Sequence, residues 1–323
     1  MKPHYFFILI YLMISTAYAE EKTIIRLGVQ TGGTLAWELT ALNNANSDFE
    51  LAIHPLANAQ EGKDALQTGT VDLIVSDWIW VADQDQQGED FTFYPYSDMS
   101  GALIVPKDSS IKSIQDLVGK RLGIAGGEFD KNWLLLQALA QKQSLDLNKS
   151  VDKTFATPTK ITEQLKAQQI DAVLTYWHFA AHLEGQGYRQ LIDDKTILTQ
   201  LNIQETIPNL GYVFKHNWGM KHQTTLNQFF TAAQQARKQL CTDDTAWQKV
   251  LPLTKTEDAA TQTLLRQRFC EGNIDKQWGE KEQRAAAQLF KLLKKIQQRT
   301  DSSEDLQTKI FWTTDLNKNE SSK

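Results

Sequence analysis

The sequence predicts an α/β protein of two Rossmann-like lobes, and three observations carry that prediction. From Thr23 to Leu191 strand patterns alternate with helical ones, as in mostly parallel sheets wrapped by helices. One passage is written twice, about a hundred residues apart: Val71-Asp72-Leu73-Ile74-Val75-Ser76-Asp77-Trp78 and Ile170-Asp171-Ala172-Val173-Leu174-Thr175-Tyr176-Trp177. Each reads as a buried strand running into a helix, with an Asp at the strand start and a Trp in the helix's first turn. A second pair lies upstream, Arg26-Leu27-Gly28-Val29 before Gly32-Gly33 and Trp37, against Arg121-Leu122-Gly123-Ile124 before Gly126-Gly127 and Trp133.

Residues 1 to 19 read as an export signal: Lys2, an apolar run from Tyr5 to Met13, and Ala17-Tyr18-Ala19 as a cleavage site before Glu20. The run is shorter than the roughly 20 residues a membrane span needs. Cleavage leaves 304 of the 323 residues and moves the net charge from −5 to −6 with the loss of Lys2. Acidic and basic residues are mixed along the chain, which argues against nucleic acid or anionic lipid as a partner.

Strands are expected near 24–30, 49–54, 71–76, 91–96, 121–125, 151–155, 171–175 and 188–191, with helices between them. Two further extended segments, Gly101 to Pro106 and Asn209 to Phe214, bracket a block of about a hundred residues. They can be sheet strands, the two crossings of a hinge, or both. The expected division is 20–101 with 210–323 as the first lobe and 102–209 as the second. From Thr224 onward the pattern is helical, near 224–240, 244–250, 257–269 and 280–298. Ile310-Phe311-Trp312 is expected to pack back on the first lobe, and residues 317–323 to be disordered. Cys241 and Cys270 lie in this helical third and can be either a disulfide or two small buried apolar residues.

In open α/β sheets ligands bind beyond the carboxyl ends of the strands, which here lead into Thr31 to Thr34, Asp77-Trp78, Gly126 to Lys131 and Tyr176 to His178. Hydrolase, zinc-protease and P-loop signatures are missing from the sequence. His178 and His182 have metal-ligand spacing but no evident third ligand, so no metal and no cofactor are expected. His178 can line a cleft as a neutral ring, whereas His182 reads as a surface residue. The Gly32-Gly33 and Gly126-Gly127 pairs would suit an anion, yet Glu128 and Asp130 oppose one and only Lys131 offsets them. The plainer alternative is two tight turns, with Asp130 capping a helix. Asp77 likewise caps a helix or faces a bound group. Trp37, Trp78, Phe129, Trp133, Tyr176 and Trp177 all fall just after strands, and about half of them are expected to touch ligand.

These residues resemble a known group. An exported two-lobe chain with Lys120-Arg121-Leu122-Gly123-Ile124 ahead of a Gly-Gly turn, preceded by Ile114-Gln115-Asp116-Leu117-Val118-Gly119, is similar to solute-binding proteins of ABC importers in the nitrate/sulfonate/taurine and thiamine-pyrimidine-precursor (NMT1/THI5-like) group. The likeness runs over most of residues 24 to 297. It implies a type II periplasmic binding fold, a two-crossing hinge and a solute clasped between lobes. Contacts would come from Thr31, Gly32, Gly33, Thr34, Trp37, Asp77, Trp78, Gly126, Gly127, Glu128, Phe129, Asp130, Lys131, Tyr176, Trp177 and His178. It also implies an inner-membrane permease with its ATPase as partner, and a monomer in the periplasm. No Arg lies in those turns, and the cysteine-rich motif of related pyrimidine-precursor synthases is missing, so a binding protein rather than an enzyme is expected. Aromatic and carboxylate side chains favour a neutral heteroaromatic or cationic solute. The alternatives are an enzyme using His178, an assembly or sensor protein, and a metal binder using Asp77, Glu128 and Asp130.

Overall fold

The computed structural model describes residues 22–43, 47–99, 101–272, 278–297 and 305–312. The export signal and the last seven residues lie outside them. Along the chain run β1 (Thr23–Gln30), α1 (Leu35–Leu39), β2 (Phe49–Leu56), α2 (Ala59–Thr68), β3 (Ile74–Ser76), α3 (Trp78–Gln86), β4 (Phe91–Ser97) and β5 (Ala102–Val105). Then come β6 (Arg121–Ala125), α4 (Lys131–Lys142), α5 (Leu147–Ser150), β7 (Asp152–Ala156), α6 (Pro158–Lys166), β8 (Ala172–Thr175), α7 (Trp177–Gly185), β9 (Arg189–Asp193) and α8 (Asp194–Gln200). The last part holds β10 (Leu210–Lys215), α9 (His216–Lys221), α10 (Gln223–Thr242), α11 (Asp244–Gln248), α12 (Ala259–Glu271) and α13 (Glu280–Ile296).

Two sheets of one plan result. In the first, β2 pairs with β1, a parallel bridge from Leu27 to Leu73 joins β1 to the chain entering β3, and the order continues β3-β10-β4. In the second the order is β7-β6-β8-β5-β9. In each sheet one antiparallel strand sits between parallel-running neighbours, and it is the strand next to a crossing: β10 in the first, β5 in the second. The two Gly-led segments of the sequence are therefore sheet strands, and the chain passes between sheets just before β5 and just before β10.

The twin motifs fix this repeat locally. Arg26 of β1 places Nη2 2.5 Å from Asp72 Oδ1, and its Nη1 donates to the Gly69 carbonyl at the left-handed end of α2. Arg121 of β6 repeats the arrangement with Asp171 at 2.7 Å and with the carbonyl of Gln168, which is also left-handed. The backbone N–H of each Arg also donates to the same Asp. In both lobes an Asp at the entry to the third strand thus holds that strand's start level with the first. The Arg partners are 43 % and 45 % exposed, and pairs with so open a partner add little stability. Their effect is on register, which brings the carboxyl ends of the strands to a common height.

The C-terminal helices do more than cover the first sheet, with which the sequence grouped them. α10 packs Phe229 and Phe230 onto Tyr212, Phe214 and Phe49 there. α12 lies along α7, and α13 touches α4, both helices of the second sheet. α13 also reaches back to α3, through Phe290 against Trp78 and through Lys294 at 2.7 Å from Asp83. As expected, the tail packs on the first sheet: Phe311 bridges to Phe93 and Trp312 rests on Phe214. Cys241 and Cys270 form a disulfide, with Cα atoms 5.7 Å apart, that joins α10 to α12.

That bond closes a loop of 29 residues in sequence. Replacing both cysteines by Ser is expected to lower unfolding stability by about 2–4 kcal/mol. Urea denaturation of the two proteins checks this, and equal midpoints would show that the loop is held without the bond.

Candidate functional site

The turns after the strands of the two sheets face one another. In the first lobe Gly32 adopts φ +78°, a left-handed value that favours glycine. The Gly33 N–H closes the turn on the Gln30 carbonyl at 2.9 Å. Thr31 and Gly32 are exposed, Gly33 is half-buried and Thr34 is buried at the start of α1. The next turn ends at Asp77, which is half-buried and caps α3 by accepting from the Trp80 N–H at 2.9 Å. In the second lobe Gly126 is left-handed at φ +86°, Gly127 to Phe129 are exposed, and Asp130 caps α4 through the Asn132 N–H at 2.9 Å.

Asp130 is where these turns converge. The Tyr176 hydroxyl donates to its Oδ2 at 3.4 Å, and a methyl group on Gly126 would come within 3.0 Å of that oxygen. Burial pushes the Asp130 carboxyl up to about 7; Lys131 and the Asn132 N–H pull it down, while Asp194 and Asp77 raise it further. Asp77 of the first lobe therefore stands close enough to act on Asp130 of the second, and it acts on Tyr176 as well. Burial is also the main cause of the raised Tyr176 hydroxyl.

Lys131 turns away from this group toward the crossings. Its Nζ donates to Asn209 Oδ1 at 2.5 Å and lies 3.6 Å from Asp194, which is fully buried and accepts from the Gly101 N–H at 3.3 Å. Asn209 in turn donates to the Asp98 carbonyl at 2.8 Å. The Lys131 ammonium thus ties the second lobe to both crossing segments. Asp194 and Asn209 escaped the sequence reading as site residues, although Asp194 directly follows a strand, just as Asp77 does.

The aromatic residues divide. Trp78 is fully enclosed, its Nε1 donating to the Pro208 carbonyl at 2.9 Å, and Trp133 is core as well. Trp37 and Trp177, from opposite lobes, meet edge to face at 5.7 Å, and Trp37 also packs on Trp247 at 5.7 Å and Phe269 at 5.9 Å. Both are buried, so they form a contact between the lobes rather than an open wall. Phe129 is 70 % exposed at the rim, and Tyr176 is half-buried.

Below Trp37, Glu38 is buried with Arg237 at 3.5 Å and the Tyr212 hydroxyl at 3.4 Å, which fastens the short helix α1 to α10. Burial raises the Glu38 carboxyl to about 7 against the pull of Arg237.

His178 sits next to a cation that the sequence reading missed. Burial lowers its ring to about 3, helped by His182 and Lys255, so it is neutral at pH 7. The Lys255 ammonium lies over the first glycine turn: a methyl group on Gly32 would come within 3.2 Å of Nζ. Lys255 precedes α12, more than 200 residues from Gly32 in sequence, and no local pattern links them. His182, read as a surface residue, is half-buried and hydrogen-bonded to the Thr254 backbone.

The fold is that of the two-lobed type II periplasmic binding proteins. The chain belongs to the NMT1/THI5-like family, whose model matches residues 45–244. No curated protein sequence matches significantly. Among solved structures it is similar to the alkanesulfonate-binding protein SsuA from Xanthomonas axonopodis pv. citri bound to MOPS: TM-score 0.70, 15 % identity, covering 91 % of this chain and 99 % of that one. It is similar also to the periplasmic aliphatic sulphonate binding protein SsuA from Escherichia coli: TM-score 0.67, 16 % identity, covering 87 % and 95 %. A zinc-bound ligand-binding component of an ABC-type import system from Staphylococcus aureus matches with TM-score 0.67 at 11 % identity, covering 91 % and 98 %.

The raised carboxyls carry a pH prediction. Asp130 at about 7 and Asp194 at about 6 exceed their ordinary 3.8, so between those values the native state holds protons that the unfolded chain has released. Stability from these groups is present below about pH 4 and is lost as pH rises through 6 to 7. His178, lowered from 6.5 to about 3, works in the opposite direction. Asp130→Asn, which keeps a neutral side chain at every pH, is expected to flatten the fall in urea midpoint between pH 5 and pH 8. Identical pH slopes in the two proteins would remove Asp130 from this account.

Proposed function

We propose that this chain is the periplasmic solute-binding component of an ABC importer, closing its lobes on a small organic solute and presenting it to an inner-membrane permease with its ATPase. The reading rests on the family and on turns from two lobes that bring polar groups to one cleft. It takes residues 20–101 with 210–323 and residues 102–209 as the two moving lobes, and the chain as an exported monomer that performs no turnover.

One observation supports a ligand class: Asp77, after the third strand of the first lobe, and Asp130, after the first strand of the second, come from opposite lobes, and Asp77 adds to the rise of the Asp130 carboxyl, to which the Tyr176 hydroxyl donates. Asp130, raised to about 7 mainly by burial, holds a proton at neutral pH unless a cation replaces it. A solute with a protonated nitrogen, or a heteroaromatic ring with N–H donors, fits that pair. Tyr176 and the exposed Phe129 supply rings to cover it. The remaining turn residues, Thr31 to Thr34 and Gly126 to Glu128, contribute backbone groups and hydroxyls around the solute. A second reading, a solute with an acidic group, is favoured by the Lys255 ammonium over the Gly32 turn.

Native mass spectrometry of protein purified from its host should reveal a co-purifying solute bearing basic nitrogen. For a cationic ligand that displaces the Asp130 proton, affinity is expected to fall by up to tenfold per pH unit below about pH 7. Calorimetry in buffers of different ionisation heat would register proton release. Asp77→Asn should weaken binding more than tenfold, whereas Lys255→Gln should leave a cation's affinity within about twofold. The reverse ranking, with an acidic solute recovered, would replace the first reading by the second. Product formation from the bound solute by purified protein would overturn the binding-only assignment.

A further inference from the structure

Beside the first crossing lies a cavity of about 130 Å³ that the front turns do not line, Trp177 excepted. Among its walls are Asp98 and Met99 of the crossing, Trp177 and Glu184 of α7, and Arg268 and Glu271 of α12, with β9 and α8 also lining it. The space is far larger than one water requires. Its charged wall is mainly acidic, and its two bases are already engaged. Lys195 lies 3.1 Å from Asp98 Oδ2, and Arg268 lies 2.9 Å from Glu184 Oε2.

Asp98 is the informative group. Its side chain is 8 % exposed, and among the described residues its Oδ1 has no hydrogen-bond partner. A buried carboxylate oxygen without a donor is costly, and a turn of the Asp98 side chain that brings this oxygen to the cavity would let it take a donor from outside the chain. Apolar surface adjoins it, from Met99, Ala180 and the Trp177 ring. Among the described residues no set of three His, Cys, Asp or Glu is placed to hold a metal ion, so the chemistry favours an organic cation.

We propose that this cavity is a second binding site, lined by neither Asp77 nor Asp130, that takes a small primary ammonium compound with its N–H groups on Asp98 and its carbon chain against Met99, Ala180 and Trp177. Because crossing, α7 and α12 each supply a wall, an occupant favours the arrangement in which the three are packed together. The site does not depend on the solute proposed for the front cleft, since neither Asp77 nor Asp130 lines it.

The test uses the mature, disulfide-bonded protein and n-propylammonium chloride as probe, with 1-propanol and sodium chloride at matched concentration as controls. Saturable heat of binding is expected for propylammonium alone, together with a melting temperature that rises with its concentration. Asp98→Asn is expected to weaken binding at least tenfold, and Glu271→Gln, at an exposed position outside the Lys195 pair, several-fold. If Asp98→Asn does not fold, Glu271→Gln and the cavity-filling Ala180→Leu decide, since either supports the site by weakening the probe. Absence of saturable binding to the unaltered protein overturns the proposal, as does equal stabilisation by sodium chloride. Loss of binding in Asp77→Asn with retention in Glu271→Gln would move the probe to the front cleft and overturn it too.

Discussion

The arrangement of this molecule depends on the contact of Trp37 with Trp177. Each Trp follows a strand in its own lobe, and each would be an exposed aromatic if the lobes were apart. Packed edge to face, with Trp247 and Phe269 around them, they bury large apolar surfaces between two sheets that, among the described residues, share no strand hydrogen bonds. The Cys241–Cys270 bond holds the helix that carries Phe269 against α10, and Arg268 of that helix reaches Glu184 of α7. The first lobe, the C-terminal helices and the second lobe thus meet at one aromatic cluster.

With that side joined, the polar side of the cleft acquires its character. Asp77 and Asp130 each follow a strand held by the Arg–Asp clamp of its own lobe, and Asp77 adds to the rise of the Asp130 carboxyl. Burial is the main cause of that rise, and Asp130 retains a proton near neutral pH. Lys131 would relieve this if it faced the cleft. It is instead directed to Asp194 and Asn209, where it neutralises a buried carboxylate beside the crossings. That the cation serves structure and the cleft keeps its carboxylates is thus decided by which way one side chain turns.

Much of this was legible in the sequence because it is local or periodic. The strand pattern 121–125 was found as written, and the strand near 24–30 starts one residue earlier, at Thr23. Other boundaries differ more where turn chemistry intervenes: the third strand begins at Ile74 rather than Val71, since Asp72 is held by Arg26 outside the regular ladder. The caps at Asp77 and Asp130 follow from residue type and position. Which aromatics are core and which are open was not legible, because Trp37, Trp78 and Trp177 stand in equivalent local settings. Only their distant neighbours, Phe290 and Phe311 for Trp78 or Trp247 for Trp37, enclose them.

By itself the sequence determined the two-lobe plan, because hydrophobic periodicity and the duplicated Arg, Asp, Gly and Trp positions act through neighbours along the chain or through one strand pairing. Tertiary structure alone decided what lies across the cleft. Lys255 over Gly32, Asp77 within electrostatic reach of Asp130 and α12 along α7 each join segments far apart in sequence, and such relations leave no periodic trace. The charge of a binding cleft is a sum over those long-range neighbours, so it emerges only once the chain has closed on itself.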